Sequence, residues 1–247
     1  MTEWFEAFKD RLILNFVDDN RWRYITDGLI ATLEITFFAL IIGLVIGFTV
    51  AIIRSSYDKS KEDAKNSGAG KLGRAFMSVL NGICKVYLTV IRGTPVVVQL
   101  MIIYFVIFQS VDINKIFVAI IAFGLNSGAY VAEIVRSGIM SVDKGQFEAG
   151  KSVGFNYYQT MVHIILPQAF KNILPALGNE FIVLLKETSV SGYIAIQDLT
   201  KGGDIIRSRT FDAFMPLIAV ALIYLVIVMF MSSMVNKLER RLRTSDH

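Results

Sequence analysis

The segment EAGKSVGFNYYQTMVHIILP, residues 148–167, lies between two strongly apolar runs and is itself too polar to lie in lipid. Its composition predicts two short helices joined at a glycine. The first helix covers about 145–154, with Glu148 in its first turns, where an acidic side chain is favourable, and Gly154 at its C-terminal end. The second helix covers about 156–166. Two such helices form a stiff element with an exposed acidic end, which indicates a docking surface for another protein.

The rest of the chain has the composition of a membrane protein. Of its 247 residues 54% are hydrophobic, and the mean hydropathy is +0.54. A helix needs about 20 apolar residues to cross the hydrocarbon core, and it satisfies its own backbone groups where lipid offers no partners. The sequence therefore predicts an all-α integral membrane protein with five transmembrane helices. The predicted spans are about 28–53, 86–109, 116–137, 172–196 and 213–236.

The segments outside the spans are polar. Residues 1–25 carry aromatic side chains at helical spacing with charges between them, which predicts an interfacial amphipathic segment. A hydrophilic loop is predicted for 54–85. The transmembrane domain is assigned to 26–236, with a loop at about 138–170, and 237–247 form a basic tail.

Positive residues are distributed unequally between the two faces of the membrane. Fifteen Lys and Arg lie in the 54–85 loop, the 136–171 segment and the tail, whereas eight lie in the other connections. Since positive residues favour the cytoplasm, we expect an outside N-terminus, a cytoplasmic C-terminus and a cytoplasmic 148–167 segment. The same distribution explains the net charge of +4 without a nucleic-acid partner.

No catalytic, metal or nucleotide site is recognisable in the sequence. The single cysteine, Cys84, excludes a disulfide within the chain, and His163 and His247 share no metal-ligand spacing with carboxylates. The stretch GAGKLG at 68–73 lacks both the first glycine and the Ser or Thr of a phosphate-binding loop. We therefore expect no enzymatic activity and no cofactor on this chain.

Several ionisable residues interrupt the apolar runs. A charge near the middle of a bilayer costs about 2.5–3.5 kcal/mol on insertion scales, so such a residue usually faces a partner or a polar cavity. Those near the ends of spans can instead extend to the membrane surface, and this interpretation suits Glu34, Arg92 and Glu133. In span four, Glu180 and Glu187 share one helix face, which indicates either a polar pathway or structural ion pairs with the neighbouring lysine.

The 148–167 segment resembles the cytoplasmic loop signature of permease subunits of ABC importers. That signature reads Glu-Ala-Ala, three residues, Gly, nine residues, Ile, one residue, Leu-Pro. The matching positions are Glu148, Ala149, Gly154, Ile164, Leu166 and Pro167. Gly150 stands in place of the second alanine, and we expect it to loosen the helix slightly while leaving the acidic residue in place.

Other stretches are similar to the polar amino-acid uptake branch of these permeases, the histidine, glutamine and arginine type. They are TLEITFFALIIGLVIG at 32–47, IRGTPVVVQLMIIYF at 91–105, SGAYVAEIVRSGIMSVDKGQFEAG at 127–150 and LLKETSVSGYIAI at 184–196. The resemblance covers roughly 28–235, and residues 57–75 look like an insertion. It implies the type I ABC importer permease fold, with five transmembrane helices and a cytoplasmic coupling-helix loop, in the bacterial cell membrane.

The resemblance also implies partners and functional residues. Two permease subunits would pair, as a homodimer or with a related chain, and dock on two ATP-binding cassette ATPase subunits that hold ATP and Mg. An extracytoplasmic binding protein would deliver the amino acid. The residues assigned to ATPase coupling are Glu148, Ala149, Gly150, Gly154, Ile164, Leu166 and Pro167. Those assigned to the substrate pathway are Asn126, Tyr130, Glu180, Lys186, Glu187 and Ser189.

Two other functions are compatible with an apolar helical chain. An ion-coupled secondary amino-acid carrier would act without an ATPase, but such carriers usually show paired halves with broken helices. A membrane scaffold without transport activity would use the charges of span four only for structure.

Overall fold

The computed structural model describes residues 2–66 and 71–243. The end of the predicted basic tail, including His247, and part of the GAGKLG stretch and of the predicted insertion lie outside these ranges. The described residues form helices and turns without a strand, which confirms the all-α class. The helices are α1 Thr2–Leu12, α2 Trp22–Asn66, α3 Lys71–Gly93, α4 Val96–Ile102, α5 Lys115–Met140, α6 Lys144–Ser152, α7 Tyr157–Thr160, α8 Leu166–Glu187, α9 Leu199–Thr210 and α10 Phe214–Arg243.

Four of the described helices are long and apolar enough to cross a membrane. They are Trp22–Asp58, Gly73–Gly93, Lys115–Met140 and Phe214–Leu242. Helix α8 has 22 residues but is not among them, since it carries Lys171, Asn172, Asn179, Glu180, Lys186 and Glu187. The number of five transmembrane helices therefore stays a prediction.

The predicted second span, 86–109, is wrong as one continuous helix. Helix α3 ends at Gly93 and α4 begins at Val96. Between them, Pro95 offers no backbone N–H and disfavours the helical conformation of the residue before it. After α4, wider helical turns continue over Ile103–Ile107.

The predicted hydrophilic loop at 54–85 is also largely helical. Helix α2 extends to Asn66, and α3 begins at Lys71. Residues 54–66 contain neither glycine nor proline and include several Lys, Glu and Ala, which favour helix. Their polarity keeps this part of α2 out of lipid but does not end the helix.

The predicted fourth span, 172–196, differs at both ends. Wider helical turns at Met161–Ile165 lead directly into α8, which begins at Leu166. The α-helix ends at Glu187, and Thr188–Ile194 continue as a tighter 3₁₀ helix. The apolar pattern of the sequence could not distinguish these helix types.

The chain divides into two compact units. The first comprises Met1–Ala39, Val96–Phe123 and Phe181–Ser233, and the second comprises Leu40–Pro95, Gly124–Glu180 and Met234–His247. In the first unit, Ile25, Leu199, Ile206 and Val220 form an apolar cluster from α2, α9 and α10. In the second unit, α2, α5 and the start of α8 share a larger apolar cluster. Its buried members are Ala51, Val131, Val135, Val142, Ile165, Ala169 and Ile173.

A close helix crossing in the second unit depends on the glycine at position 138. A Cβ atom placed at Gly138 on α5 would overlap the side chain of Ile173 on α8. One turn further, the Asn172 Nδ2 donates a hydrogen bond to the Ser141 hydroxyl oxygen at 2.9 Å. The missing side chain therefore lets α5 and α8 approach closely enough to bond to each other.

We expect Gly138→Ala to lower the stability of the protein. The new methyl group must displace buried Ile173, and overpacking of this kind costs about 1–3 kcal/mol, more than the helix gains from alanine. The matched control is Gly82→Ala on α3, where a Cβ meets nothing within 4 Å. Thermal unfolding in detergent should show a lower midpoint for the first variant and an equal or higher one for the second. An equal change of the unfolding midpoint in both variants would contradict the close packing of α5 against α8 at Gly138.

Candidate coupling surface and substrate cavity

The first short helix of the 148–167 segment, α6, is fixed at both ends by local hydrogen bonds. The Asp143 carboxylate accepts a bond from the Gly145 N–H at 2.6 Å before the helix begins. At the other end Gly154 has a φ of +83°. Its N–H donates to the Lys151 carbonyl, and the following N–H of residue 155 donates to the carbonyl of residue 150, both at 3.0 Å. This is the Schellman arrangement, which ends a helix at a left-handed glycine, and it agrees with the predicted helix end.

The second short helix, α7, begins with a capping box. The Asn156 side chain accepts a bond from the Gln159 N–H at 2.9 Å, and the Gln159 side chain accepts one from the Asn156 N–H at 2.9 Å. Helical turns then continue into α8, where Leu166 and Pro167 occupy the first two positions. The first predicted short helix is therefore observed, whereas the second does not end before Pro167, since helical turns run without a break from α7 into α8.

Gly150 is the point at which α6 and α7 touch. It is buried, and a Cβ atom at this position would lie 2.6 Å from both Cγ2 and Oγ1 of the buried Thr160. The expectation that Gly150 loosens the helix stays a prediction. The absence of a side chain permits close contact between the two short helices, and the stacked rings of Phe147 and Tyr157, 6.2 Å apart, add to it.

The segment has an inner face and an outer face. On the inner face, Phe147, Met161 and Ile164 pack against the apolar cluster of the second unit. On the outer face, Glu148, Ala149, Gly154, Leu166 and Pro167 are exposed. Two apolar side chains that sequence reasoning missed, Val153 and Tyr158, are 69% and 73% exposed there. Nothing in the sequence distinguished them from buried apolar residues, since Val153 precedes the turn glycine and Tyr158 lies in the first turn of α7.

A cavity of about 370 Å³ lies in the same unit, between parts of α3, α5 and α8. This volume falls within the range of small-molecule sites, about 300–1,000 Å³. The lining residues are Arg92, Tyr130, Glu133, Ile134, Ser137, Gly138, Ser141, Asn172, Ala176 and Glu180. Three of them are charged, so the cavity is suited to a polar ligand with charges of both signs.

Two of these charges face each other across α3 and α5. Arg92 Nη1 lies 3.5 Å from Glu133 Oε2, and Arg136 Nε lies 3.6 Å from the other oxygen of Glu133. The Arg92 guanidinium also lies 5.9 Å from the centre of the Tyr130 ring, within the range of cation–π contacts. Arg92 and Glu133 thus line the cavity. The sequence interpretation was instead that their side chains extend to the membrane surface.

The third charge, Glu180, is buried on α8. Its Oε1 accepts a hydrogen bond of 2.7 Å from the hydroxyl of Ser127 on α5. Glu180 thus accepts a hydrogen bond at the wall of the cavity.

The six residues predicted for the substrate pathway do not all meet. Tyr130 and Glu180 line the cavity. Asn126 is buried in the same unit but is not among the lining residues. Lys186, Glu187 and Ser189 belong to the other compact unit, where Lys186 is exposed and the other two are partly buried.

Comparison with known proteins agrees with this architecture. Residues 68–244 match the family of binding-protein-dependent transport system inner membrane components. The arginine transport system permease protein of Bacillus subtilis is 37% identical over 225 residues, which cover 90% of this chain and 94% of that protein. The glutamine transport system permease protein of Escherichia coli is 39% identical over 168 residues, covering 67% and 77%.

Solved structures show the same similarity. The crystal structure of an amino acid ABC transporter with histidines has a chain with a TM-score of 0.77 and 40% identity, covering 89% of this chain and 94% of that one. An inward-facing MetNI methionine ABC transporter gives a TM-score of 0.71 over 91% of this chain and 99% of that one. Its identity is 18%, so it supports the fold alone.

The chain therefore belongs to the family of binding-protein-dependent transport system inner membrane components. The predicted class, a permease subunit of an ABC importer with the type I fold, is confirmed over the ion-coupled carrier. The predicted resemblance to amino-acid permeases is confirmed too. Members of this family are inner-membrane transport components that act with an ATPase and a substrate-binding protein.

The contact between α6 and α7 predicts a specific pattern of stability. Gly150→Ala should destabilise the protein by about 1–3 kcal/mol, since its methyl group would collide with Thr160. Thr160→Ala removes the colliding atoms, so the double variant should be more stable than the sum of the two single changes predicts. Thermal unfolding of all four proteins measures this coupling. If the change in stability of the double variant equals the sum of the changes in the two single variants, the two positions are not in contact.

Proposed function

We propose that this chain forms the translocation pathway of an ATP-driven amino-acid importer and that the cavity at Arg92, Glu133 and Glu180 admits the substrate. The observation that carries the proposal is the lining itself, with one cationic and two acidic side chains around about 370 Å³. An amino acid presents a carboxylate, which Arg92 can bind, and an ammonium group, which Glu180 can bind. Relatives named for arginine and glutamine transport support a substrate of this class.

The similar proteins narrow the class of amino acid. The relatives are named for arginine and glutamine transport, one a cationic and the other a neutral polar amino acid. The charges at the cavity balance, since Arg92 and Arg136 both lie beside Glu133 and Glu180 is the second carboxylate. We therefore propose a cationic or a neutral polar amino acid as the substrate.

We further propose that the outer face of the 148–167 segment docks on the partner ATPase. Glu148 would pair with a basic residue, and the exposed Val153 and Tyr158 would fill apolar depressions beside it. Two ATPase subunits would bind ATP and Mg and hydrolyse ATP, while this chain pairs with a second permease subunit. An extracytoplasmic amino-acid-binding protein would deliver the substrate. The N-terminus would lie outside the cell, and the segment and the C-terminus in the cytoplasm.

A physical connection links this docking face to the cavity. The inner face of the segment packs on the apolar cluster that includes Val135 of α5 and Ile173 of α8. The next contact along these helices is the Ser141–Asn172 hydrogen bond, whose two residues line the cavity. Since packed elements move as units rather than deform continuously, displacement of α6 and α7 would move the cavity wall.

Charge reversal at the docking face tests the coupling. Glu148→Lys should weaken binding of the partner ATPase to the detergent-solubilised permease, since truncating or opposing a charge pair at an interface typically costs about 2–5 kcal/mol. Asp112→Lys, at an exposed acid outside the segment, is the matched control and should bind normally. Unchanged affinity in the Glu148 variant, with the ATPase still activated by the loaded binding protein, would remove this residue from the interface.

Removal of the charge at Glu180 tests the substrate cavity. Glu180→Gln keeps the size of the side chain and its bond from Ser127, but it removes the charge that would bind an ammonium group. We expect the Michaelis constant for uptake to rise by about tenfold or more with an unchanged melting temperature, since a charge-assisted bond is about twice as strong as a neutral one. Glu34→Gln, at an exposed acid outside the cavity lining, should transport normally. A large loss of stability, with uptake proportional to the surviving protein, would mean that Glu180 is structural.

A further inference from the structure

Helix α1 carries an exposed aromatic face. Trp4, Phe5, Phe8 and Leu12 fall within an arc of about 100° on the helix, the width of an amphipathic apolar stripe. Trp4 is 70% exposed, and its ring stacks on that of Phe8 with 5.6 Å between centroids. The opposite side of the helix bears Glu3, Glu6, Lys9 and Asp10.

A second exposed aromatic group lies at the corner between α9 and α10. Phe211 is 95% exposed and has a φ of +55°, a conformation that bulky residues rarely adopt. Phe214, at the start of α10, is also largely exposed, and Leu217 and Ile218 follow it. A large apolar side chain held away from the protein in such a conformation indicates a nonaqueous surrounding.

A polar cluster joins α1 to this corner. The Arg11 guanidinium donates two hydrogen bonds to the Asp212 carboxylate, at 3.0 and 2.8 Å. Asn15 is completely buried, and its amide donates to the Arg11 carbonyl at 2.8 Å and to Asp212 at 2.9 Å. The Thr210 hydroxyl donates to Asn15 Oδ1 at 2.8 Å. We call Arg11, Asn15, Thr210 and Asp212 the N-terminal clamp.

The clamp stays charged under all physiological conditions. The hydrogen bond from the Arg11 side chain lowers the pKa of Asp212 to about 2. A carboxyl whose pKa is depressed on folding stabilises the fold above its ordinary range and loses this contribution only as the pH falls toward the lowered value. The Arg11–Asp212 pair therefore keeps its charges at neutral pH.

We propose that α1 and the Phe211–Phe214 corner together form one membrane-surface platform that lies among the lipid headgroups, and that the N-terminal clamp holds α1 in that plane. This inference does not depend on the substrate or on the coupling mechanism. The candidate spanning part of α2 begins at Trp22, and the helical turns of Ile13–Val17 and Asp18–Asn20 connect it to α1, so α1 lies near the bilayer boundary.

The composition of the neighbouring surface supports lipid as the occupant. Exposed apolar side chains recur at Val17, just before the candidate spanning helix, and at Trp22 and Ile30 on it. The Arg23 guanidinium lies 5.7 Å from the Trp22 ring centre. Aromatic rings with neighbouring cations are typical of membrane interfaces, where the rings lie at headgroup level and cations meet phosphates. A protein partner on this face is the alternative outcome of the test below.

Trp4 provides the probe, since the chain has two tryptophans. Trp22→Phe leaves Trp4 as the single fluorophore, and the protein is reconstituted alone in vesicles of phosphatidylcholine brominated either near the headgroup or near the chain ends. We expect lipid brominated near the headgroup to quench Trp4 at least about twofold more strongly, because interfacial helices bury their apolar face about 5–10 Å deep. Trp4→Phe is the matched control and reports Trp22 in the same lipids. No quenching of Trp4 by either lipid, or a response only after binding protein is added, would overturn the proposal.

A second measurement tests the clamp. Arg11→Gln removes the two bonds to Asp212, so amide hydrogen exchange of Thr2–Leu12 in vesicles should accelerate by about tenfold or more. Lys9→Gln removes the same charge from the exposed polar side of α1 and should leave the exchange unchanged. Unchanged exchange in the Arg11 variant, or equal acceleration in both, would show that the clamp does not hold α1.

Discussion

The contact between Gly138 and Ile173 is the constraint on which the second unit depends. A bilayer offers helices no hydrogen-bond partners and little hydrophobic drive to associate, so helix pairs in lipid rely on small residues that permit close packing. Here the glycine brings α5 near enough to α8 for Ser141 to bond Asn172 at 2.9 Å. On one side of this crossing lies the apolar cluster beneath α6 and α7, and on the other lies the charged cavity.

The charges of the cavity explain why α8 is more polar than the other long helices. A carboxylate at membrane depth is tolerated when a polar cavity or a partner faces it, and Glu180 has both, with the Ser127 hydroxyl at 2.7 Å. Arg92 and Glu133 are partners for each other, since Arg92 Nη1 lies 3.5 Å from Glu133 Oε2. Two of the residues that make α8 a poor membrane helix by composition, Asn172 and Glu180, therefore line the cavity.

The sequence could predict the features that depend on interactions between residues close together in the chain. Gly154 and Asn156 act through bonds to residues within a few positions, so the two short helices were predictable. The helix break at Pro95 had an equally local signal, but the apolar run around it obscured the break. The pairing of Arg92 with Glu133 joins residues 41 positions apart on different helices, and the burial of Gly150 depends on Thr160. Such tertiary contacts leave no trace in periodicity or composition.

Gly150 also shows how a departure from a family signature can be compensated within one chain. The signature has alanine where this chain has glycine, and a Cβ here would lie 2.6 Å from two atoms of Thr160. A permease with alanine at this position must therefore carry a smaller side chain opposite it or separate the two short helices. In this chain the larger Thr160 fills the space, and its hydroxyl donates to the Asn156 carbonyl at 3.0 Å. The glycine and the threonine together form the contact between α6 and α7, so neither should be interpreted alone.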